Sequence, residues 1–94
     1  MYDLLPTKMN LILAQVEFHL HKIGSANDAE DHQYLDSANQ MRSEASTSLY
    51  LLTKEHPGLL EILPRLTIEL DTGHIYGIGW SSLLDQIQTF KKQE

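Results

Sequence analysis

A stretch from about residue 26 to residue 56, ANDAEDHQYLDSANQMRSEASTSLYLLTKEH, constrains this chain more than any other feature. It has no internal proline or glycine, it is rich in Ala and Ser through its middle, and Pro57-Gly58 stops it. Such a run reads as one long helix, because nothing in it interrupts the 3.6-residue period and a proline cannot continue it. Its apolar seam passes through Leu35, Ala38, Met41 or Arg42, Ala45, Leu49 and Leu52. Alanine stands where leucine is usual, so the helix offers a close approach to a neighbour but little bulk for a core.

The segment before it supplies a partner. Leu5, Met9, Ile12, Val16, His19 and Ile23 recur at alternating steps of four and three, and Leu13 and Leu20 widen the stripe. Pro6 suits a first helical turn, and Gly24 after Lys22 reads as the stop. Leu11 and Phe18 lie off this stripe and mark a second face to be covered. GSAND then reads as the turn, with Ser25, Asn27 or Asp28 as cap of the long helix. Paired antiparallel, the longer second helix overhangs the first near Leu49–Leu52. Either the last third of the chain or a second subunit must cover that end.

After Pro57, LLEIL forms a short apolar plug closed by Pro64. Leu66, Ile68 and Leu70 alternate with polar residues, as do Tyr76, Ile78 and Trp80 with Gly77 and Gly79. With Asp71-Thr72-Gly73 between them, the pattern predicts a β-hairpin over 66–79. SSLLDQIQTFKK closes the chain as a helix over 82–92, capped by Ser81 or Ser82, with Lys91 and Lys92 at its end. The expected fold is therefore α+β and mostly α. It is one small domain, residues 1–94, in which an antiparallel helical hairpin (5–23 and 27–56) is followed by a β-hairpin and a C-terminal helix.

Composition narrows the function classes. A net charge of −6 disfavours direct contact with nucleic-acid backbone or an anionic membrane surface. The acids concentrate at Asp28, Glu30, Asp31 and Asp36. At the start of a long helix they complement its dipole, and they also offer a face for a basic protein. The first eight residues include an acid and a proline, unlike a signal peptide, and the longest apolar run is four residues. With no cysteine, a cytoplasmic setting is expected.

No chemical motif stands out. Asp71-Thr72-Gly73 resembles the Asp-Thr-Gly of aspartic proteases, but the match is three residues long, His74 follows where that family has Ala or Ser, and Asp-X-Gly is a common turn. His19 and His21 point to opposite sides of a helix; His32 and Asp36 share a face without a third ligand. No metal and no cofactor is expected. The reading is a non-enzymatic protein-interaction module, a small acidic regulator or inhibitor. Immunity proteins, anti-defence proteins and secretion chaperones share its size and acidity. Candidate contact residues are Tyr76, Trp80, His74, Asp28, Glu30, Asp31 and Asp36. A homodimer or higher homo-oligomer is expected through Ala38, Ala45, Leu49 and Leu52, since so short a chain without disulfides has a small core. The alternative is a small-ligand binder with its site between subunits; a small hydrolase ranks last.

Overall fold

The computed structural model describes residues 4–92, with side chains from Lys8 onward. The expected roles of Leu5 and Pro6 lie outside the described side chains. The described residues form five helices and a 3-10 turn: α1 (Leu4–Asp31), α2 (Leu35–Glu55), α3 (Leu59–Ile62), α4 (Leu66–Thr72), the turn His74–Tyr76, and α5 (Gly79–Lys92). There is no strand among the described residues. α1 and α2 form an antiparallel hairpin, cross-linked by Lys22–Glu44 at 2.8 Å and Arg42–Glu30 at 2.7 Å. α5 packs along α1, and α3 and α4 close against α2. The molecule is elongated, 48 × 24 × 18 Å.

The expected β-hairpin over 66–79 is a helix, a turn and the start of another helix. Residues 66 and 70, read as members of an alternating strand face, are also neighbours at i and i+4 on a helix. The core selects the helical reading: Leu66, Glu69 and Leu70 are buried together, whereas Ile68 is 47% exposed. Gly73 does take the left-handed conformation assigned to it, at φ 74°, but as the residue that ends α4. Ile75 then enters the core, and the chain turns into α5 three residues earlier than expected. Ser81 and Ser82 are inside that helix rather than capping it.

Gly24 is the second correction. α1 runs through it for another two turns, so α1 has 28 residues and α2 only 21, the reverse of the expected lengths. The glycine is a notch for a ring: a Cβ on Gly24 would sit 2.7 Å from Trp80 Cη2. Its missing side chain lets α5 lay Trp80 against α1. The helix ends instead at His32–Tyr34. Tyr34 N–H bonds Ala29 C=O, Gln33 N–H bonds Glu30 C=O, both at 2.8 Å, and Gln33 takes φ 70°. This pair of bonds is the Schellman closure, here made with glutamine where glycine is usual. Ser25, Asn27 and Asp28 therefore cap nothing.

The core joins Leu13, Val16, Leu20 and Ile23 of α1 to Ala45, Leu49 and Leu52 of α2. Leu59, Leu63, Leu66, Leu70, Ile75, Leu83 and Ile87 complete it. The expected overhang at Leu49–Leu52 does not arise, because α1 is the longer helix and runs past that end of α2; α3 and α4 close on α2 there as well. Ala38, Ala45, Leu49 and Leu52 all lie inside the single chain, buried from solvent.

Candidate functional site

Extending α1 to Asp31 moves the acidic cluster from the start of one helix to the end of another. Asp28, Glu30 and Asp31 occupy the last turn of α1, which has no basic residue. Carboxylates there face the negative end of the helix dipole, a placement that costs roughly 0.3–1 kcal/mol each at an exposed site. Asp36 alone stands where the dipole favours it, in the first turn of α2. The dipole accounts for Asp36 and argues against the other three.

Between these acids the corner displays Tyr34, 66% exposed, and Leu35, 56% exposed, side by side. Every residue from 30 to 37 is exposed. Among the described residues, the Asp28, Asp31 and Asp36 carboxylates make no hydrogen bond or ion pair. The result is two large apolar side chains framed by three carboxylates without an ion-pair partner among the described residues, at one end of a long molecule.

The base of this corner is braced. Arg42 of α2 donates through Nη1 to Glu30 at 2.7 Å and through Nη2 to Asn27 Oδ1 at 2.6 Å. Asn27 Nδ2 in turn donates to the Tyr76 carbonyl at 2.9 Å, and the Tyr76 hydroxyl meets Ser46 Oγ at 2.5 Å. Three elements are thereby tied at one point. Below it, Lys22 holds Glu44, and that bond, helped by one from Gln40, lowers the Glu44 pKa. His32 also brings a ring nitrogen to the Asp28 carbonyl at 2.9 Å, a second contact on an acceptor that its own backbone N–H reaches at 3.1 Å. A corner fixed in this way loses little conformational freedom when something docks on it.

The sequence-derived contact residues divide accordingly. Asp28, Glu30, Asp31 and Asp36 converge at the corner, with Glu30 engaged by Arg42. Tyr76 serves the brace, half-buried. Trp80 is half-buried on Gly24. His74 stands apart, its Nδ1 2.6 Å from the buried Glu69 carboxylate, which Arg65 also approaches at 3.5 Å. Glu69 in turn lies against Gly79, where any Cβ would meet its Oε2. This set pins the α4–α5 connection. Tyr34 and Leu35 were absent from the expected contacts, because Leu35 fell in register with the seam of the long helix. Their signal in the sequence is a pair of large apolar residues alone inside a polar, acidic stretch.

Among the described residues, no group of three or more His, Asp or Glu is placed to hold a metal ion. The depressions on the surface are shallow and open; the one along α2 is lined by Arg42, Ser43, Ser46, Thr47, Tyr50 and Tyr76. No helix among the described residues is long and apolar enough to cross a membrane. Comparison with protein-family models, curated proteins and solved structures finds no match.

Proposed function

We propose that this chain is a non-enzymatic interaction module, a small acidic regulator or inhibitor that acts by binding a protein partner through the α1–α2 corner. One observation carries the reading: three carboxylates stand at the helix end that disfavours them, around an exposed Tyr34–Leu35 pair. Of the three, only Glu30 is used by the fold, through Arg42; Asp28, Asp31 and the exposed pair match a partner segment with basic residues around an apolar one. Tyrosine is well suited to such a contact, having a large amphipathic surface and few rotamers to immobilise. The enzyme reading gains nothing from the His74–Glu69 pair. His74 has no hydroxyl or thiol nucleophile bonded to its ring among the described residues.

The test is a titration of isotopically labelled protein with two synthetic amphipathic peptides, one Lys/Arg-rich and one with every base replaced by Glu. The expected outcome is chemical-shift change confined to residues 28–37 with the basic peptide alone. Its affinity should weaken as salt screens the corner and fall at least about tenfold with Tyr34→Ala and Leu35→Ala together. Equal binding of both peptides, or binding indifferent to those substitutions, refutes the proposal.

A further inference from the structure

The outer face of α1 is apolar without being acidic. Opposite the stripe that enters the core, the helix presents Leu11 and Phe18, 63% and 64% exposed, with Ala14 and Gln15 between them. Positions 11, 14, 15 and 18 follow the i, i+3, i+4, i+7 spacing of one helix face. With His19 at the edge they line a shallow depression that is mostly apolar. α1 is thus apolar on two opposite sides, and only one of them is used by the chain.

Charge narrows what covers the other. Copies of a chain with net charge −6 repel one another over most of their surface. Between Asn10 and His21 the only acid is Glu17. It turns aside to α5, holding Lys91 at 2.5 Å and Gln88 at 2.7 Å. Two copies can therefore meet across this face without opposing carboxylates.

The order of residues is also self-complementary. Reversed, Leu11–Ala14–Gln15–Phe18 again places a large apolar residue at each end and smaller ones in the centre. We infer that the outer face of α1 is a self-association surface, on which two copies pair antiparallel about the midpoint of Ala14 and Gln15. Leu11 of each copy then packs on Phe18 of the other, the isologous contact a two-fold axis requires. Ala14 lets the backbones approach, and Lys8 comes beside the Lys22–Glu44 pair of the second copy, next to its exposed carboxylate. A standard interface covers about 800 Å² per partner. Two large side chains and their neighbours supply less, so the dimer is weak and concentration-dependent.

Sedimentation equilibrium of the full chain from about 10 μM to about 1 mM tests this, with a dissociation constant on the order of 100 μM expected for so small an interface. Phe18→Glu and Leu11→Lys, both at exposed positions, should each weaken association at least about tenfold. The two together oppose unlike charges across the antiparallel pair and should restore it, whereas Leu35→Glu at the corner should leave it unchanged. A wild-type monomer throughout the range, or a Phe18→Glu chain that associates normally, overturns the surface. A double variant no stronger than the single ones overturns the register.

Discussion

The two ends of the helical hairpin are built from different materials. Toward the α3–α5 end, α1 and α2 contribute Leu13, Leu20, Ile23, Leu49 and Leu52, and other helices cover them. At the corner the only buried apolar residues are Ala26 and Ala38, while Tyr34 and Leu35 face outward. One end holds the fold; the other is carried by it. A chain that buried Tyr34 and Leu35 would gain apolar contact, at roughly 25 cal/mol per Å² of area removed from water. The corner forgoes that gain, and Asp28 and Asp31 at the negative end of α1 lower stability further; the proposed binding role rests on this contrast.

The comparison breaks first in the body. Leu49→Ala should cost about 2–5 kcal/mol, because Leu49 is fully buried and its neighbours come from several helices. For a small domain that is a large fraction of the total stability, and denaturant titration measures it directly. Loss of under about 1 kcal/mol would show that the body is not where stability resides. Next, Gly24→Val should cost roughly 1–3 kcal/mol, since its Cβ would occupy the space of the Trp80 ring. Trp80 is the single tryptophan, so its emission should move toward that of a solvated indole in the same sample. Unchanged emission would disprove the notch.

At the corner the expected effects are small. Tyr34→Ala with Leu35→Ala should change stability by no more than about 0.5 kcal/mol per site, as for exposed positions away from special geometry. A loss of several kcal/mol by thermal or chemical unfolding would make the corner part of the core and remove the contrast. The smallest effect is one of pH. His19 has its pKa lowered, first by burial and then by Lys22, and its Nδ1 is buried without a partner. The folded chain therefore resists protonating it more than the unfolded chain does. Stability is intact above the ordinary histidine range, near about 6.5, and declines as pH falls through it toward the lower folded value. His19→Leu should flatten the stability–pH slope there, and an NMR titration of the ring should show a midpoint below that of a free histidine. A midpoint at or above it would contradict the burial.

The candidate site was half legible in the chain. Asp28, Glu30, Asp31 and Asp36 announce themselves as an acidic cluster, but their meaning depended on where α1 ends. At the start of a helix Asp28, Glu30 and Asp31 would be stabilising; at the end of α1 they are not, whereas Asp36 keeps a favourable place in the first turn of α2. That end is set by Gln33 at φ 70°, a conformation the residue type does not signal. Tyr34 and Leu35 were hidden by a register that assigned Leu35 to a seam beginning too early.

By itself the sequence determined the inner stripe of α1, the seam residues Ala38, Ala45, Leu49 and Leu52, the stop at Pro57 and the apolar face of α5. Periodicity over many residues has one helical solution, and proline has no substitute for its missing N–H. Tertiary structure alone decided residues 66–76 and Gly24. An i, i+2, i+4 pattern over one short segment contains the i, i+4 pair of a helix, so both readings bury Leu66 and Leu70. Which one forms depends on whether Ile68 or Glu69 enters the core with them. Gly24 is likewise a stop or a notch according to what lies beside it. Trp80, 56 positions later in the chain, makes it a notch.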